Sequence, residues 1–135
     1  MNEPLGPNRT PFELLGGEAS VRALVERFYD AMDEHEPELA GLHALEDGKV
    51  SRAARDKFAL FLIGWLGGPQ EYMRIHGHPR LRMRHAHVAV TQRMRDAWMN
   101  SMRIALAHSS IDEASRRFLD TKLGEVADML RNQPG

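Results

Sequence analysis

A chain of 135 residues is the size of one domain, and on folding it is expected to bury roughly 65 to 70% of its unfolded surface, enough for a closed core with one pocket inside. Eighteen Lys and Arg against nineteen Asp and Glu leave a net charge of −1, which argues against a polyanion-binding protein, and the seven His add positive charge only in acid. The absence of Cys excludes disulfides, thiolate zinc sites, iron–sulfur clusters and a cysteine nucleophile, so any metal must rest on His, carboxylates or a cofactor.

In chain order, Thr10-Pro11-Phe12-Glu13 has the hydroxyl, proline and acid of a capping box, so a short helix is expected to start there and to end at Gly16-Gly17. From Glu18 to Glu34 the residues Val21, Leu24, Val25, Phe28 and Met32 fall on one face of a first long helix. Pro37 interrupts it, and Glu38 to Leu42 supplies one more turn before the polar segment Glu46-Asp47-Gly48-Lys49. A second long helix from Ser51 carries the stripe Ala54, Phe58, Phe61, Leu62 and Trp65 and stops at Gly67-Gly68-Pro69. Gln70 to Val90 reads as loop with short helical pieces. Thr91 caps a helix whose Met94, Ala97, Trp98, Met102 and Ala105 share a face, and a last helix after Ser109-Ser110 presents Phe118, Leu119, Leu123, Val126 and Leu130. No segment alternates long enough to read as a strand, and the fold class is all-α in a single domain. The longest nearly apolar stretch, Phe58 to Gly68, falls short of the about 20 residues of a membrane span. The start Met1-Asn2-Glu3-Pro4 lacks the basic and apolar regions of a signal peptide, so the expectation is a cytoplasmic protein with neither membrane nor nucleic acid as partner.

Charge is unevenly placed. Residues 72–95 hold six Arg (Arg74, Arg80, Arg82, Arg84, Arg93, Arg95) and four His but no acid. The four His form two pairs, His76-Gly77-His78 and His85-Ala86-His87. Three readings stay open on these residues alone. One is a heme-free helical protein with a multi-His zinc or copper site, although the spacing matches no standard ligand set. Another is a single axial imidazole on a heme iron, with Arg groups meeting the propionates and the aromatic face of Phe58, Phe61 and Trp65 forming an apolar slot. The third is a set of surface histidines over an ordinary helical core.

The stretches Phe28-Tyr29-Asp30, Phe61-Leu62-Ile63-Gly64-Trp65-Leu66-Gly67-Gly68-Pro69, Gly77-His78-Pro79-Arg80-Leu81-Arg82-Met83-Arg84-His85 and Arg95-Asp96-Ala97-Trp98 resemble the truncated hemoglobins, specifically group II. They stand in the family's order and span about residues 11 to 131. The resemblance implies a globin-like two-over-two helical sandwich enclosing heme b, with residues 1–9 as an N-terminal extension, 10–131 as the globin domain and 132–135 as a C-terminal tail. It implies a protein that binds dioxygen, carbon monoxide or nitric oxide, with redox chemistry on peroxide or nitric oxide as heme peroxidase or nitric oxide dioxygenase left open, an unidentified reductase in the redox case, and a monomer or homodimer.

Residue by residue, the resemblance makes His85 the proximal iron ligand through a neutral ring nitrogen. Tyr29 and Trp98 match distal residues whose O–H and N–H donate to a ligand bearing negative charge. His43 falls where the family has an aromatic or a His, and an imidazole there donates to the ligand or takes and returns a proton. Ala54 stands where many globins carry a distal His, leaving ligand control to Tyr29, His43 and Trp98. Phe58 and Phe61 wall the cofactor, while Lys57 and Tyr72 match positions at its periphery, with Arg82 and Arg84 as further propionate partners. Two or three buried donors of about 1.5 to 3 kcal/mol each imply slow ligand release, which argues against bulk oxygen transport. The sequence departs from the family's pattern at His87 and Val88, where Pro and Phe are usual.

Overall fold

The computed structural model describes residues 10–85 and 90–132, apart from the side chains of Arg82 and Arg84. His87 and Val88 lie outside the described residues.

The chain begins with α1 (Pro11–Leu14), where Thr10 Oγ1 accepts from the Glu13 amide at 3.2 Å and Glu13 Oε1 accepts from the Thr10 amide at 2.9 Å, the reciprocal capping box expected from the sequence. After Gly16 and Gly17 come α2 (Glu18–His35) and the single turn α3 (Pro37–Ala40). Two residues of β1 (Leu45–Glu46) then pair antiparallel with β2 (Lys49–Val50), Leu45 opposite Val50. The turn between them, read from the sequence only as a polar segment, is a two-residue hairpin loop with positive φ at Asp47 (53°) and Gly48 (78°). Asp-Gly is the dipeptide that suits this turn, because its twist matches that of the flanking strands. The hairpin is too short to carry hydrophobic alternation, and the fold is all-α around it.

Four long helices build the body: α2, α4 (Arg52–Trp65), α7 (Gln92–Ala107) and α8 (Glu113–Leu130). Ser51, Thr91 and Asp112 cap the last three, each side-chain oxygen accepting an amide of the first turn. The short helices α5 (Glu71–His76) and α6 (Leu81–His85) bridge α4 and α7. Helix α2 packs on both α4 and α7, α7 packs on α8, and α6 rests against α8. The result is a two-over-two sandwich in which α2–α4 lies on α7–α8. No helix among the described residues is long and apolar enough to cross a membrane.

The expected face of α2 is the core: Val21, Leu24, Val25, Phe28 and Met32 are all buried. Helix α4 presents two apolar faces. Its most buried residues are Arg55, Ala59, Leu62 and Ile63, whereas Ala54, Phe58 and Phe61 of the expected aromatic stripe are only half-buried and Trp65 is exposed. The stripe faces an interior cavity, and the core contact runs along the adjacent face. Phe28 joins the two faces, its ring 5.3 Å from Phe58 and 5.1 Å from Trp98 between centroids. At the far end of α4 the chain closes on α1: the Phe12 amide donates to Leu66 O at 3.0 Å, and a Cβ on Gly68 would meet the Phe12 ring at 2.7 Å, so only glycine allows this contact.

Phe28 has no accessible surface and packs simultaneously on residues from α4 and α7. Phe28→Ala is therefore expected to lower stability by about 3–5 kcal/mol, read as a fall in the urea midpoint at unchanged denaturant slope.

Candidate functional site

A cavity of about 390 Å³ lies at the centre of the sandwich, within the size range of small-molecule sites. Helices α2, α4, α5, α6, α7 and α8 all contribute to its wall. Nine of the eleven candidate site residues named from the sequence line it: Tyr29, His43, Ala54, Lys57, Phe58, Phe61, Tyr72, His85 and Trp98. The backbone of Arg82 and Arg84 lies in α6, and their side chains are outside the described residues.

The wall is chiefly apolar and its polar groups sit at separate places. His85 ends α6, and its Nδ1 stands 2.8 Å from the carbonyl oxygen of Leu81 one turn earlier. A carbonyl only accepts, so Nδ1 carries the ring proton and Nε2 keeps its lone pair. Leu81, Val90, Met94, Leu123 and Val126 add hydrocarbon to the wall of the same cavity.

At another part of the wall Tyr29, His43 and Trp98 come together with Phe58. The Tyr29 ring meets His43 edge-on at 5.6 Å and Phe58 at 5.8 Å, and Phe58 lies 6.2 Å from Trp98. Burial pushes the Tyr29 phenol well above its ordinary range, opposed only weakly by the Arg55 guanidinium, so the hydroxyl stays protonated. Among the described residues no side-chain polar atom is both sealed off and unpaired, and the Tyr29 hydroxyl and Trp98 indole N–H, which have no partner there, open onto the cavity. His43 Nδ1 lies 3.1 Å from Leu39 O. Burial lowers the His43 pKa from 6.5, against the opposing effects of the Leu39 and Ala40 carbonyls and of Asp33, so the ring is neutral at pH 7.

Phe61 stacks on Phe58 at 6.1 Å and meets Tyr72 edge-on at 5.8 Å, carrying the aromatic wall from α4 to α5. Lys57 is exposed where it reaches the cavity, as a cation at its rim. The described histidines of the two His-x-His pairs do not converge: His76 packs on Tyr72, His78 accepts the Arg80 amide at 3.1 Å, and only His85 of these three lines the cavity. Among the described residues no group of three or more His, Asp or Glu is placed to hold a metal ion directly.

Sequence reading missed Arg55. Its side chain is 6% exposed, and its Nη1 and Nη2 donate to Asp30 (2.8 Å), Glu26 (3.0 Å) and Asp33 (2.7 Å) of α2, while Nε donates to Val50 O (2.9 Å). Burial acts to lower its pKa, but Asp30 and Glu26 over-compensate and raise it. The guanidinium also lies 5.7 Å from the Tyr29 ring centroid, so the residue that locks α4 to α2 also backs a cavity tyrosine. The signal was present in the spacing Glu26, Asp30, Asp33, which puts three acids on one face of α2. Arg95, also missed as a cavity residue, enters from α7 and is held by Asp128 of α8 at 2.8 Å.

Comparison with known proteins agrees with this geometry. The profile of the bacterial-like globins matches residues 10–132. A group 2 truncated hemoglobin of Bacillus subtilis strain 168 is 33% identical over 123 residues, 91% of this chain and 89% of that protein. Among solved structures, the cold-adapted truncated hemoglobin of the Antarctic bacterium Pseudoalteromonas haloplanktis superposes with a TM-score of 0.86 at 38% identity, covering 93% of this chain and 99% of that one. The group II 2-on-2 hemoglobin of Agrobacterium tumefaciens gives 0.85 at 32% identity, covering 95% and 98%.

Removing the buried guanidinium takes the cation from Asp30 and Asp33, while Glu26 keeps Arg52, so Arg55→Met is expected to destabilise by about 1–3 kcal/mol in urea unfolding at pH 7. The hydrogen bond from Arg52, and then Arg55, holds the Glu26 carboxyl below its ordinary 4.5. Its stabilisation is complete above that value and is lost as pH falls through the lower folded value. Glu26→Gln should accordingly flatten the acid limb of the stability curve, and an unchanged limb would show that the pair does not act in solution.

Proposed function

The chain belongs to the bacterial-like globins, among the group II truncated hemoglobins, and from that premise we propose that it binds heme b in the central cavity, where His85 would supply the iron's nitrogen ligand and Tyr29 and Trp98 would meet small diatomic ligands. The observation that supports this most is the His85 ring, whose Nδ1 is occupied by Leu81 O and whose Nε2 is left as a lone-pair donor on an apolar wall.

The donor set fits the group. An iron porphyrin requires one strong nitrogen ligand, a largely apolar slot and cations at the edge where its carboxylates emerge. His85 meets the first need, Phe58, Phe61 and the aliphatic side chains of α8 the second, and Lys57 at the rim the third. Heme in that slot supplies a coordination position open to dioxygen, carbon monoxide or nitric oxide and a metal able to change oxidation state.

The chain's own residues then govern the ligand. Tyr29 remains a hydroxyl across the physiological range and is a donor to any ligand atom that gains negative charge. Trp98 is a donor only, so it discriminates in the same direction. Ala54 contributes a methyl and no polar group, while Phe58 packs on both donors, its ring 5.8 Å from Tyr29 and 6.2 Å from Trp98. The half-buried His43 beside Tyr29 completes the set. Propionate contacts from Arg82 and Arg84 remain part of this reading from the sequence alone.

Titrating the apoprotein with hemin is expected to develop a Soret band that saturates at one heme per chain. In His85→Ala the band should be displaced and the affinity reduced at least tenfold, and equal affinity with an unchanged spectrum would overturn the axial assignment. Tyr29→Phe removes a donor of about 1.5 to 3 kcal/mol, so dioxygen dissociation, followed by stopped flow, should accelerate on the order of 10- to 100-fold.

A further inference from the structure

Asn132, two residues past the end of α8, holds two separate points on the wall of the cavity. Its amide donates to Val90 O at 2.9 Å, and its Oδ1 accepts the Val90 amide at 2.8 Å, a closed pair between residues 42 apart in the chain. A backbone amide only donates, so this contact fixes which end of the Asn132 carboxamide is oxygen. The other end, Nδ2, then donates to His85 O at 3.3 Å.

His85 is the last residue of α6, and the final carbonyls of a helix have no partner within it. Asn132 therefore caps α6 from a distant part of the chain. The His85 ring is tied to its own helix, Nδ1 to Leu81 O, so the ring stands where the end of α6 stands. Residues 86–89 read Ala-His-Val-Ala, with no proline to restrict φ, and their sequence lends no stiffness to the link between His85 and Val90. One side chain spans that link. Both of its anchors line the cavity, and α8, from whose end Asn132 emerges, supplies Leu123, Ala127 and Leu130 to the same wall.

Resting on the heme reading above, we propose that Asn132 is a positioning residue for the axial ligand: by capping α6 at His85 O and pairing with Val90, it fixes the His85 ring relative to α8. It thereby sets how firmly Nε2 can hold an iron and how long the cofactor is retained. Asn132 is itself exposed and does not line the cavity, so it acts through His85 and its replacement leaves no gap in the core. The preceding Arg131 donates instead to Gln92 Oε1 and provides a control for loosening of this end of the chain.

Four hemin-loaded proteins test the proposal: wild type, Asn132→Ala, Asn132→Asp and Arg131→Ala. In resonance Raman spectra of the reduced, ligand-free forms, the iron–nitrogen stretching band should be displaced in both Asn132 variants and keep its wild-type place in Arg131→Ala. Transfer of hemin to excess apomyoglobin should run about two- to tenfold faster in the Asn132 variants, the factor that corresponds to one neutral hydrogen bond. Asp keeps an oxygen for the Val90 amide but sets an acceptor against His85 O. Hydrogen exchange of the Val90 amide in the apoprotein should accordingly accelerate in Asn132→Ala and stay slow in Asn132→Asp. A band in its wild-type place in both Asn132 variants overturns the proposal and leaves the heme reading intact. Displacement in Asn132→Ala alone also overturns it, because the Val90 pair and not the cap on α6 would then be responsible, and so does equal displacement in Arg131→Ala. A wild type that takes up no hemin overturns the heme reading and this proposal together.

Discussion

The rotation of α4 about its own axis decides whether this chain has a site or merely a core. Two faces of the helix are apolar enough to pack, and only one can lie on α2. Arg55 makes the choice: with its guanidinium fixed by Glu26, Asp30, Asp33 and the Val50 carbonyl, Ala59, Leu62 and Ile63 turn inward onto the core. The aromatic stripe of Phe58 and Phe61 then turns towards α5, α6 and α7, around a space the protein does not fill by itself. A buried ion network is weak evidence for net stability, because desolvation offsets much of its attraction, but it is directional in a way that hydrocarbon packing is not. That directionality is what a fold with an open centre requires.

From this constraint the placement of the remaining groups follows. The hairpin, whose Val50 amide donates to Asp33 and whose Val50 carbonyl accepts from Arg55, holds the start of α4 against α2 and ends the loop that carries His43. Phe28 connects the core to the cavity wall through Phe58 and Trp98. On the other side α6 lies on α8, which brings the imidazole of His85 onto the wall. Both cavity histidines have Nδ1 against the carbonyl four residues earlier, Leu39 for His43 and Leu81 for His85. The same local bond therefore fixes the same tautomer twice in the neutral rings, leaving Nε2 as the lone-pair nitrogen of each.

Much of this was legible in the residues. Caps at Thr10, Ser51 and Thr91, the breaks at Gly16-Gly17 and Gly67-Gly68 and the single face of α2 are local signals, and local physics decides them. The family motifs singled out His85, Tyr29 and Trp98, and all three line the cavity. The aromatic face of α4, read from the sequence as an apolar slot, does line the cavity, whereas the adjacent core face of Ala59 and Ile63 was not singled out. Arg55 went unseen because a charged residue in a helix reads as solvated until its three partners on another helix are known. His43 was located, but whether it donates or accepts depends on which ring nitrogen meets Leu39 O, a matter of distance that no spacing encodes.

The central claim is that His85 Nε2 is the ligand on which the whole cavity is organised. Resonance Raman spectra of the reduced, hemin-loaded protein without added ligand test it most directly. The account predicts an iron–nitrogen stretching band in the wild type that disappears in His85→Ala and returns when free imidazole is added. A band that persists in His85→Ala would place a different residue on the iron and contradict the account.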